Sequence, residues 1–141
     1  MADLDPLIRF RKHTVDEKQK ILSQLYRDAE NLERQRQAII DKMEREKKLA
    51  EEMNAPEALT YLGRYLEGAR KKVKIYDAAI KKIEIRIVAA QEDIREAFAE
   101  QKKVEITQAN RKAEEKKARD HKDDQEMDDI ALDGFRRKKD E

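Results

Sequence analysis

Apolar side chains recur at alternating spacings of three and four residues along two long stretches of the sequence. This seven-residue repeat, with apolar residues at the positions called a and d, is typical of helices that pack along one narrow seam. In the first stretch, 4–53, the a and d positions that break the apolar pattern are Arg11, Lys18, Arg36 and Glu46. In the second stretch, 59–104, Gln101 is the exception. The pattern therefore predicts two long helices.

Composition alone leaves a choice between long helices and disorder. Charged residues make up 46% of the 141-residue chain and apolar residues 38%, and there is no tryptophan. Such a chain has too little apolar material for a core several layers deep. Neither proline nor glycine interrupts the sequence from Leu7 to Met53, so the repeat decides in favour of helices.

The two stretches are separated by Asn54-Ala55-Pro56-Glu57. Asparagine favours a helix end and proline suits the first turn of a new helix, so we expect a turn at 54–58. The turn folds the second seam back onto the first. The predicted fold is all-α: an antiparallel coiled-coil hairpin of helices 1–53 and 59–104, each about 75 Å long at ~1.5 Å per residue.

The register of the hairpin follows from pairing a positions with d positions. With Met53 opposite Leu59, Leu22 faces Ala90, and both seams end at the same level. Arg36 then faces Tyr76, where a guanidinium group can stack on the ring.

A register shifted by one repeat, with a longer turn, is the alternative. It sets Ile8 against Arg111, an apolar residue against a charged one, and we prefer the first register for that reason.

Beyond the paired part, residues 105–141 form a polar segment of mixed charge, expected to be an overhanging helix with a flexible end. Within it, 126–139 carries the apolar residues Met127, Ile130, Ala131, Leu132 and Phe135. Because no helix of the same chain is predicted to cover them, we expect a docking segment; a frayed tail is the other interpretation.

The sequence contains no candidate for a catalytic, cofactor or metal site. There is no cysteine, and His13 and His121 are far apart. A net charge of +1 with interleaved signs does not favour nucleic acid as a partner. Neither a signal peptide nor a membrane span is apparent, which predicts a cytoplasmic location.

Tyr61 and Tyr65 lie one helical turn apart and outside the seam, near the predicted turn. Exposed aromatic side chains are favoured at binding hot spots, so they are candidates for a contact surface. Alternatively, they lie along the flank and shield the seam.

The stretch Thr60-Tyr61-Leu62-Gly63-Arg64-Tyr65-Leu66, the ending Met127-Asp128-Asp129-Ile130-Ala131 and the hairpin layout together resemble the FliJ family of flagellar export proteins and its injectisome relatives. The resemblance implies a non-enzymatic stalk of the type III export apparatus, held at the inner membrane only through its partners. The implied partners are the hexameric export ATPase, the cytoplasmic domain of the export gate and export chaperones. A generic coiled-coil scaffold or a chaperone-like hairpin is the alternative function.

The resemblance also implies two sets of contact residues. The export-gate candidates that it implies are Tyr65, Ala69, Lys72, Tyr76 and Ile39. We add Tyr61, which is expected to be exposed one helical turn from Tyr65. The ATPase candidates are Asp128, Asp129, Ile130, Leu132, Phe135, Arg136 and Arg137. Three gate candidates (Ala69, Tyr76 and Ile39) are seam positions, and Lys72 stands where the family pattern has a small residue.

Overall fold

The computed structural model describes residues 3–140, and they form two helices joined by a short turn. Helix α1 spans Asp5–Met53 and helix α2 spans Pro56–Asp140. The helices pack against each other and the described residues include no strand, which confirms the predicted all-α hairpin. By packing, the chain divides into a unit of residues 13–97 and a unit made of the residues before 13 and those from 98 onward.

The turn consists of Asn54 and Ala55 alone. Asn54 has a φ of 47°, in the left-handed region, and its N–H donates to the carbonyl of Ala50 at 3.3 Å. The N–H groups of Ala58 and Leu59 both donate to the carbonyl of Ala55. The predicted turn at 54–58 was therefore too long.

Pro56 explains the shorter turn, because it is itself the first residue of α2. Its fixed φ suits a first helical turn, and its missing N–H is not needed there. The predicted first seam pair is not buried: Met53 and Leu59 are both exposed. They lie at helix ends, where no further turn of the partner helix covers them.

The core of the 13–97 unit is a single row of side chains. Its buried apolar residues are Val15, Leu25, Ala50, Leu66, Ala69, Ile80 and Ala90. Every one of them is a predicted a or d position, so the seven-residue repeat located the core correctly. Among the described residues no large side chain is completely enclosed, as expected where two helices share one seam.

Two polar contacts join the helices in this unit, and the first agrees with the preferred register. The Nε of Arg36 pairs with Oδ1 of Asp77 at 2.6 Å, one residue beyond the predicted partner Tyr76. The second, in which the amide Nε2 of Gln91 donates to the Tyr26 hydroxyl at 2.8 Å, does not support the preferred register: Gln91 lies five residues from the position opposite Tyr26 in that register and two residues from it in the alternative. The alternative register places Arg36 opposite Ile83, seven residues from Tyr76, which is too far along α2 for the Asp77 contact.

In the second unit, helix pairing continues past the predicted end at Val104. Gln101 and Gln108 are buried, and Gln108 Nε2 donates to Asp5 Oδ1 at 2.7 Å. Gln101 Nε2 donates to Glu105 at 3.0 Å. The paired part reaches Gln108 because a side-chain amide can be buried when its donor meets a carboxylate.

These hydrogen bonds from side-chain amides also lower the pKa of the carboxylates that accept them. The hydrogen bond from Gln108 is the largest cause that lowers the pKa of Asp5, and nearby Lys112 and Arg9 act in the same direction. The hydrogen bond from Gln101 likewise lowers the pKa of Glu105, with Lys102 contributing. Asp5 on α1 therefore favours the paired state when ionised, and this contribution is lost as the pH falls through its folded-state pKa. Glu105 accepts from residues of its own helix, so its ionised form stabilises α2 rather than the pairing.

Candidate partner-binding surfaces

A groove of about 460 Å³ runs between α1 and α2 in the 13–97 unit. We name it the tyrosine groove; it is lined by Ala38, Ile39, Lys42, Arg64, Tyr65, Gly68, Ala69 and Lys72. The structure thus brings together four of the six predicted export-gate residues: Ile39, Tyr65, Ala69 and Lys72. Ala69 is buried at the base of the groove, whereas Lys72 is exposed at its edge.

The ring of Tyr65 is held from two sides. The rings of Tyr61 and Tyr65 are stacked, with centroids 6.4 Å apart and planes 18° from parallel. On α1, Lys42 places its Nζ 5.7 Å from the centroid of the Tyr65 ring, within reach of a cation–π interaction. A half-buried ring fixed in this way loses little conformational freedom when a partner binds.

Gly68 keeps the groove open. A Cβ atom built on Gly68 would meet no heavy atom within 4 Å, so the space above it is free. Gly63, on the same helix but not lining the groove, has the same open surroundings. Gly68, Lys42 and Arg64 were not predicted as site residues, because the repeat does not mark them and the resemblance did not name them as contact residues.

The two remaining gate candidates lie outside the tyrosine groove. Tyr76 is half-buried beside Asp77, the carboxylate that holds Arg36. Tyr61 contributes to a second cleft of about 570 Å³ next to the turn. That cleft was not predicted from the sequence; it is lined by Glu46, Leu49, Ala50, Met53, Ala55, Glu57, Ala58 and Tyr61.

The ATPase candidates lie on the last turns of α2, within the second unit. We name residues 123–139 the carboxyl-terminal segment; all of it is helical and exposed. Because successive residues are rotated by about 100°, the candidates do not share one face. Asp129 and Arg136 project from the side of the helix opposite Met127, whereas Phe135 lies near Met127.

In the part of the chain that the structure describes, no helix is long and apolar enough to cross a membrane. Nor do the described residues include a group of His, Cys, Asp or Glu side chains arranged to hold a metal ion.

Comparisons with protein-family models, with curated proteins and with solved structures gave no match to this chain. The resemblance to flagellar export proteins therefore depends on the sequence stretches around Tyr61 and Met127, and it stays a prediction.

Proposed function

We propose that this chain is a non-enzymatic stalk of a flagellar type III export apparatus and binds the cytoplasmic domain of the export gate through the tyrosine groove. The observation that carries the proposal is the assembly of Ile39, Tyr65, Ala69 and Lys72 in one groove. The resemblance selected these residues without reference to a groove, and Ile39 lies on a different helix from the other three.

The chemistry of the groove indicates what part of the gate it accepts. Its charged lining residues are all basic, namely Lys42, Arg64 and Lys72. Its apolar surface comes from Ile39 and Ala69 and from the ring of Tyr65. A groove of this kind favours a segment that inserts an apolar side chain and carries carboxylates beside it.

The second contact in the proposal is the export ATPase hexamer, bound through the carboxyl-terminal segment. Ile130, Leu132 and Phe135 are exposed on this segment and available to a partner. Export chaperones are further proposed partners. The chain reaches the inner membrane only through these contacts.

Filling the tyrosine groove tests the proposal without weakening the helix. We expect Gly68→Leu to reduce binding of the purified gate domain at least about tenfold, because the new side chain occupies the groove and excludes the partner. Leucine is a better helix former than glycine by roughly 0.5–1 kcal/mol, so folding is not expected to suffer. Isothermal titration calorimetry measures the affinity.

The matched control is Gly63→Leu, which makes the same chemical change on the same helix outside the groove. It is expected to bind the gate domain like the unmodified chain. Equal affinity of the Gly68 and Gly63 variants, or no binding by the unmodified chain, would contradict the proposal.

A further inference from the structure

The carboxyl-terminal segment has its charges separated along its length. Its first part, 123–133, contains no lysine or arginine, and its acidic residues are Asp123, Asp124, Glu126, Asp128, Asp129 and Asp133. The residues that follow Phe135 are the basic run Arg136, Arg137, Lys138 and Lys139. The basic run Arg70, Lys71, Lys72 and Lys74 is not preceded by an acidic run of comparable length, so the separation of signs is a distinct feature of this segment.

An unpaired apolar stripe runs along one face of the segment. At about 100° per residue, Met127, Ile130, Ala131, Gly134 and Phe135 fall within roughly 140° of the helix circumference. The large apolar residues of the segment, Met127, Ile130, Leu132 and Phe135, are 55–68% exposed. An apolar stripe of this kind is typical of a helix that packs against another helix.

The stripe is flanked by acidic residues at one end and by basic residues at the other. Asp123 and Asp124 continue its line toward the amino-terminal side, and Arg137 and Lys138 continue it toward the carboxyl-terminal side. A second helix with the same sequence is therefore complementary only when it runs antiparallel. In a parallel pair, acidic ends face acidic ends and basic ends face basic ends.

We propose that the carboxyl-terminal segment binds the same segment of a second copy of this chain in an antiparallel pair centred on Ala131. This arrangement places Asp124 opposite Lys138 of the second copy and Met127 opposite its Phe135. A two-fold symmetric contact brings the same surface from both copies, so each apolar stripe covers the other over its whole length.

The middle of the stripe allows the two helices to approach closely. Ala131 is small, and a Cβ atom on Gly134 would meet no heavy atom within 4 Å. Helix α1 does not compete for this surface, because it begins at Asp5, which meets Gln108 on α2. Among the described residues, nothing else covers the segment.

Charge reversal at the two ends of the stripe tests the pairing. Sedimentation equilibrium of the full chain is expected to show a reversible dimer. One variant carries Asp123→Lys with Asp124→Lys, and the other carries Arg137→Glu with Lys138→Glu. Each variant alone should dimerise at least about tenfold more weakly, because like charges then meet at both ends.

Mixing the two variants in equal amounts is expected to restore the dimer, since the ends then have opposite signs. The substituted residues are exposed, so the variants should keep the helix content of the unmodified chain. The proposal is overturned if the unmodified chain is monomeric, if the variants dimerise as strongly as it does, or if mixing restores nothing. Dimerisation by the mixture but not by the unmodified chain would indicate parallel pairing and also contradict it.

This experiment contains neither the gate domain nor the export ATPase. Its failure would leave the proposed gate contact untouched, and failure of the gate contact would leave the self-pairing untouched. If both proposals hold, the second copy covers Ile130 and Phe135, and an ATPase that uses them must displace it.

Discussion

Replacement of Ile80 by alanine is expected to lower the free energy of unfolding by about 2–4 kcal/mol. Ile80 is an a position of the seam and only 7% exposed. The core is a single row of side chains. No second layer of side chains can therefore move in to fill the space that the substitution leaves. Urea denaturation followed by circular dichroism measures the change.

Ile85 provides the matched control, because it is an isoleucine on the same helix and 70% exposed. Ile85→Ala is expected to change the free energy of unfolding by less than about 0.5 kcal/mol. If the two variants were equally destabilised, the seam would not run where the structure places it.

Asn54→Val is expected to destabilise the hairpin by about 1–2 kcal/mol. The φ of 47° at Asn54 brings a side chain close to the backbone, and a β-branched residue tolerates this conformation poorly. The same denaturation measurement detects the effect.

Asn54→Gly separates backbone conformation from loss of the side chain. Glycine adopts positive φ freely, so this variant is expected to be at least as stable as the unmodified chain. Equal stability of the valine and glycine variants would show that the turn does not require the left-handed conformation.

Most of the fold could be predicted from the sequence, because the seven-residue repeat marks which face of each helix is buried and the break at Asn54 and Pro56 marks where the chain turns back. The residues that the repeat marked include all the buried apolar positions, such as Leu25 and Ala90. The predicted turn was too long because the repeat does not show where a helix can begin, and Pro56 begins α2 earlier than expected. The pairing limit at Val104 was wrong because a polar Gln108 was not expected to be buried.

Less of the candidate site could be predicted. The resemblance named Tyr65 and Lys72, but the groove also depends on Lys42 and Gly68, which lie off the seam. Whether they line a groove depends on which residues beside the seam of α1 lie next to which residues beside the seam of α2. The apolar periodicity of each helix does not show this. The ion pair between Arg36 and Asp77 was missed for the same reason.

The central claim is that the two seams belong to one chain and pack antiparallel, and cysteine cross-linking tests it most directly. Leu22→Cys with Ala90→Cys places the two thiols opposite each other in the preferred register; Leu22→Cys with Ala97→Cys does so in the alternative register. We expect the first variant to form a disulfide within one chain at every dilution, and faster than the second. Disulfides that join two chains with a yield that rises with concentration, or faster oxidation of the second variant, would contradict the account.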